Sequence, residues 1–140
     1  MGFHEGPVKE VARSFYEAIS QGQLDRLDEL VAPDFQDHTP GQPPGRDGLR
    51  ESLEATRLGF PDLTVSIEDM FVASSESKVA IVSFIHGTHE GEWVGIPPTG
   101  KRISIMALDI LRISEGRVAE RWGLVDSPGL FQQLGVFPGT

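Results

Sequence analysis

Apolar residues recur at helical spacing in the first part of the chain and at strand spacing from Leu63 onward. Pro7 suits the first turn of a helix, where its missing N–H is not needed. Val8, Val11, Ala12, Phe15 and Ile19 follow on one face, and Gly22 ends the run. Leu24, Leu27, Leu30 and Val31 predict a second, short helix stopped by Pro33. TPGQPPGRDG (39–48) reads as a loop. Asp47 can cap a third helix through about Gly59, with Leu49, Leu53 and Thr56 on its inner side. The period then shortens to two. LTVSIEDMFV, the polar turn ASSESK and VAIVSFIHGTHEG form a hairpin. EWVGIPPTGK connects to RISIMALDILRI, and Ser114-Glu115-Gly116 reverses the chain into RVAERWGLVD. A terminal helix is opened by Pro128 and closed by Gly135.

Helices followed by four hairpin-linked strands predict an α+β fold over residues 1–140, with an antiparallel sheet covered on one face by helices. Gly87, Gly91 and Gly123 inside the strand region predict a strongly bent sheet. Three amino-terminal helices closing such a sheet enclose a pocket, and a pocket is where chemistry belongs.

Composition narrows the ligand. A formal charge of −9 with no basic run excludes a nucleic-acid surface. The chain has no cysteine, so neither a disulfide nor a thiol nucleophile is available. The start MGFHEGPVKEV lacks a basic, then apolar, leader, and the longest apolar runs fall short of the ~20 residues of a membrane helix. A cytoplasmic protein with no membrane partner is expected.

The informative residues are polar ones inside apolar strands. Asp109 interrupts IMALDILRI, and burying its carboxylate is costly unless it is paired or protonated. It is read either as a pocket residue or as a structural acceptor held by Arg112, Arg121 or backbone. On the last strand Val118, Glu120, Trp122, Leu124 and Asp126 share one face by alternation. Trp122 and Asp126 are then about 13 Å apart along the strand. That pair suits a pocket binding a flat apolar molecule and moving a proton on it. Asp126 has a second reading, as the cap of the helix beginning near Pro128. His86 and His89 face opposite sides of a regular strand, so no shared metal site is expected, and one of them lines the pocket. His38, before the proline-rich loop, is placed at the pocket mouth. Tyr16 is a further lining residue from the first helix.

GTHEGEWVGIPPTGK (87–101), RISEGRVAERWGLVD (112–126), SPGLFQQLG (127–135) and VAPDFQDHTPG (31–41) together resemble the SnoaL-like polyketide cyclase family. The resemblance implies the cone-shaped α+β barrel shared with nuclear transport factor 2 and limonene epoxide hydrolase, commonly as a homodimer, with no cofactor and no metal. In the family's cyclases an aspartate at the end of the last strand serves as acid/base, the place Asp126 holds here. Where nogalamycin-type cyclases carry a histidine in the third long strand, this chain has Asp109.

The implied reaction is intramolecular aldol closure of an aromatic polyketide ester. It needs a base in a dry pocket and a donor to the developing oxyanion, for which His38, His89 or Trp122 are candidates. Two other functions remain open. One is hydrolysis of an epoxide or similar electrophile by Asp109 and Asp126 acting as a pair, although the arginine that fold-mates place two residues before the strand aspartate is Ala107 here. The other is non-catalytic binding of a small apolar ligand.

Overall fold

Helix α1 (Glu5–Ser20) buries Val8, Ala12, Phe15 and Ile19 along one stripe, as their spacing predicts. Pro7 lies in its first turn, and Gly22 turns the chain at φ 69°. The computed structural model describes residues 5–136; the first four residues, on which the leader reading partly rests, lie outside them. A 3-10 turn (Leu24–Arg26) and a single-turn helix α2 (Leu27–Leu30) follow.

The chain then enters a strand that the pattern did not predict, β1 (Val31–Asp37). Pro33 argues against a central strand because it donates no hydrogen bond. Here β1 is an edge strand, and its register against β5 is irregular between Val31 and Gln36, where Pro33 sits. Helix α3 (Gly45–Gly59) starts two residues before Asp47. Pro44 occupies its N-cap position and Asp47 lies within the first turn, where a negative charge favours the helix dipole.

Strands β2 (Thr64–Ala73), β3 (Lys78–Thr88), β4 (Arg102–Ser114) and β5 (Arg117–Val125) fall where the period-two pattern put them. The sheet order is β1-β5-β4-β3-β2, antiparallel throughout except for the parallel β1/β5 pair. It is therefore a five-stranded mixed sheet rather than the four-stranded antiparallel one expected. Helix α4 (Ser127–Leu134) ends at Gly135, in the left-handed conformation.

Besides the irregularity in the parallel β1/β5 pair, two register shifts lie in the antiparallel pairs of the bent sheet. One lies between Ile67 and Asp69 in β2, and the other places Ala119 as an extra residue between Val118 and Glu120 in β5. The second decides which side chains reach the interior. Val118 is buried, but beyond the shift it is Arg121, Gly123 and Val125 that face inward. Glu120, Trp122 and Leu124 face out. Strict alternation from Val118 had predicted the reverse.

The core fills the space between the helices and the concave face of the sheet, with Phe15, Leu27, Leu49, Phe60, Ile81 and Leu111 buried there. Each such side chain contributes ~1.5–3 kcal/mol relative to exposure. The opposite face is left open by the described residues: Met106, Leu108, Ile110 and Leu124 are 41–65% exposed on adjacent strands.

Candidate active site

A cavity of about 390 Å³ lies between α1, α3 and the concave side of β3, β4 and β5. Its walls are mostly apolar, including Phe15, Ile19, Leu49, Leu53, Ile85 and Ile105. Trp93, from the connection between β3 and β4, also lines it. That connection can lie so close to α3 because Gly91 and Gly59 lack side chains: a Cβ at Gly91 would fall on the Leu58 carbonyl, and one at Gly59 would meet Trp93 at 2.7 Å.

Asp109 is the acid of this cavity. The alternation of β4 buries Ile103, Ile105, Ala107, Asp109 and Leu111 on the inner face, so the carboxylate is placed among apolar neighbours. The residue paired with it on β5 is Gly123. A Cβ at Gly123 would overlap the Asp109 carboxylate, so only glycine leaves room for it to lie across the strand. Tyr16 donates its hydroxyl proton to Asp109 Oδ2 at 2.7 Å. Arg121 Nε stands 3.5 Å from Asp109 Oδ1 with no hydrogen-bond partner of its own, so this contact is an ion pair only. Arg121 Nη1 stands 3.7 Å from Oδ2 of Asp37, whose side chain is fully buried and whose Oδ1 accepts from the Thr39 N–H at 3.0 Å.

Two carboxylates thus flank one guanidinium beneath an apolar cavity. Burial raises the Asp109 pKa above the ordinary carboxylate value, opposed by the Arg121 charge and the Tyr16 hydrogen bond and assisted by the Asp37 charge. Burial and the neighbouring Asp109 charge push the Tyr16 phenol well up, so Tyr16 stays a proton donor in this contact.

The remaining expected site residues do not gather here. Asp126 is exposed at the N-cap of α4, where its Oδ1 accepts from the Gly129 N–H at 2.9 Å. This is the capping role the sequence offered as its second reading; Asp126 does not line the cavity, although Val125 and Ser127 do. Trp122 and His38 stack on each other at 4.8 Å on the outer face. His38 Nε2 pairs with Glu120 at 2.8 Å, and Glu120 also accepts from Arg112 Nε at 2.6 Å. Those two bonds hold the Glu120 carboxyl below its usual range. His86 lies on the same outer side, 2.9 Å from the Ser66 hydroxyl. His89 is fully buried behind the cavity wall, accepting from the Thr99 N–H through Nδ1 at 3.2 Å and stacked on Phe60. The bulge at Ala119 explains Trp122, and β1 explains His38, which follows that strand onto the outer face.

Of the expected residues, Tyr16 and Asp109 meet in the cavity. Arg121 entered the sequence reading as a holder of Asp109, and it has that place. Asp37 was missed because the short helix was read as stopping at Pro33, and no strand was expected between it and the loop at 39–48. Gln42 gave no signal within its proline-rich loop. Ser83 was also missed, although its signal was present: a small polar residue in register with the buried Val79 and Ile81 of the same strand. Among the described residues no three His, Asp or Glu side chains converge as metal ligands, and no helix is long and apolar enough to cross a membrane.

A bent sheet closed by helices over an acid-bearing apolar cavity is the architecture of the cone-shaped α+β class. The family model for SnoaL-like polyketide cyclases matches residues 9–134, and the chain belongs to that family. It is 26% identical over 121 residues to nogalonic acid methyl ester cyclase of Streptomyces nogalater, covering 84% of this chain and 90% of the relative. It is 24% identical over 134 residues to aklanonic acid methyl ester cyclase DauD of Streptomyces sp. strain C5, covering 92% and 82%. Among solved structures it superposes on IdmH from Streptomyces antibioticus, provisionally described as a polyketide cyclase, with a TM-score of 0.81 and 34% identity, covering 92% and 99%. TsrD from Streptomyces laurentii gives a TM-score of 0.84 at 27% identity, covering 94% and 97%. These likenesses support a cyclase-type enzyme.

Proposed function

We propose that the chain catalyses cofactor-independent intramolecular aldol closure of an enolisable carbonyl compound of the polyketide ester class, with Asp109 as its base. The observation that carries this reading is the buried Asp109 carboxylate, facing the apolar cavity and held by Tyr16. Asp109 removes a proton from the carbon next to a carbonyl, and the resulting enolate carbon bonds to a second carbonyl carbon. The alkoxide so formed regains the proton from the Asp109 carboxylic acid, so the product is an isomer of the substrate. A carboxylate with a raised pKa is a stronger base than one in water, and a dry cavity keeps water from the enolate. Arg121, close to Asp109 with its Nε free of a hydrogen bond, supplies positive charge for the enolate oxygen. The curated relatives named for methyl ester cyclisation support an ester-bearing aromatic substrate.

Deuterium exchange tests the reading. Wild type, Asp109→Asn and Asp126→Asn are incubated in deuterated water with β-keto esters and anthraquinone-type methyl esters, and NMR follows the proton next to the carbonyl. Exchange is expected in wild type and Asp126→Asn, and not in Asp109→Asn; exchange that survives Asp109→Asn rejects the assignment.

The Asp37–Arg121–Asp109 arrangement favours one second reading, acid/base hydrolysis of an epoxide, in which the two carboxylates act in separate roles around one guanidinium. Incorporation of labelled oxygen from water into product supports hydrolysis, and its absence rejects it. We further propose that the protein works as a homodimer through the outer sheet face, whose exposed Met106, Leu108, Ile110 and Leu124 form a continuous apolar surface.

A further inference from the structure

The cavity floor is uneven in a way that the acid/base chemistry does not use. Along the inner face of the β3/β4 pair, Ile85 stands opposite Ile105, Ser83 opposite Ala107, and Ile81 opposite Asp109. The two small residues therefore form a depression between a pair of isoleucines and the Asp109 carboxylate. Ser83 is 1% exposed, it lines the cavity, and its Oγ has no hydrogen-bond partner among the described residues. A buried hydroxyl without a partner is unfavourable, and valine or isoleucine would suit an inward strand position better. The Gln42 amide oxygen is a second buried, unpartnered polar atom on the same cavity.

We propose that Ser83 is a specificity-determining residue: its hydroxyl hydrogen bonds an oxygen carried by the ring system of the substrate, which lies in the Ser83/Ala107 depression beside Asp109. The substrate class that fits is a fused aromatic carrying keto or phenolic oxygens on its edge. Its faces meet the isoleucines and phenylalanines of the wall, and one edge oxygen meets Ser83. A hydrocarbon ring of the same shape leaves the serine unpaired and binds less well. This inference deepens the cyclase reading and rests on it for the kind of molecule bound.

Binding of two ring systems of one shape tests it without any turnover. Anthraquinone carries keto oxygens that anthracene lacks, and neither has an enolisable proton, so the role of Asp109 as base does not enter. Quenching of tryptophan fluorescence gives each affinity for wild type and Ser83→Ala, and thermal unfolding gives the stability of both. Wild type is expected to prefer anthraquinone. Ser83→Ala is expected to lose roughly 3- to 10-fold in anthraquinone affinity, the size of one hydrogen bond, with anthracene unchanged. Its Tm stays level or rises, because the mutation removes an unpaired buried hydroxyl. Wild type that fails to prefer anthraquinone, an anthraquinone affinity that does not change in Ser83→Ala, an equal loss for both rings, or a fall in Tm each overturns the proposal. Proton exchange that depends on Asp109, alongside unchanged Ser83→Ala binding, sinks this inference and leaves the base in place.

Discussion

Asp109 and Asp126 show how differently one residue type behaves in two settings. Asp126 is exposed and satisfied by a backbone N–H, so Asp126→Ala is expected to cost ~0.5–2 kcal/mol of stability and leave turnover near wild type. Thermal unfolding and the exchange assay check this together; lost turnover at unchanged stability would return the base to Asp126. Asp109 is buried, and burial raises its pKa. A carboxyl whose folded pKa is raised favours the protonated form, so the stability it contributes is present at low pH and lost as pH rises through the folded pKa. The rate, which needs the ionised form, rises over that same interval. Tyr16 donates to the ionised carboxylate and draws the midpoint down, so Tyr16→Phe is expected to move the pH–rate midpoint to higher pH. A midpoint that stays in place or moves down contradicts that role. In the sequence, Asp109 declared itself as a charge whose strand neighbours are apolar in both registers. Its partner Gly123 did not, because the requirement for glycine comes from a neighbouring strand rather than from a turn.

At the scale of elements, the hairpins and helices were legible because their periodicity is strong and their ends are marked by Gly22, Gly135 and the Ser114-Glu115-Gly116 turn. Two features were not. Strand β1 follows directly on the short helix α2, and Pro33 disguises it by breaking the expected strand pattern. The extra residue at Ala119 leaves no mark in the sequence, since alanine fits either face, yet it moves Trp122 outward and Arg121 inward. A one-residue shift turns every later side chain of a strand to the other face. That shift accounts for the difference between the face of β5 expected to line the pocket and the face that lines the cavity, and it carries the arginine to the acid.

For the whole molecule, the two faces of the sheet divide the work. The concave face and the helices hold the cavity, while the convex face leaves Leu108, Ile110 and Leu124 open to solvent. Placing a charge on that face by Leu108→Glu with Leu124→Glu is expected to convert a dimer to a monomer in sedimentation, with the fold retained. Wild type that sediments as a monomer contradicts the dimer. The fold class was legible from the order of helices and strands together with motifs spread over nearly the whole chain. The charged cluster beneath the cavity was legible only in part: Tyr16, Asp109 and Arg121 were each singled out, whereas Asp37 was not, and the four come from separate elements that meet through the bend of the sheet. The central claim concerns that meeting point. Its most direct test is exchange, in deuterated water, of the proton next to the carbonyl of an anthraquinone-type methyl ester, comparing wild type with Asp109→Asn. Exchange in wild type alone, with the variant still folded, is the result expected. Equal exchange in both, or none in wild type, contradicts Asp109 as the base.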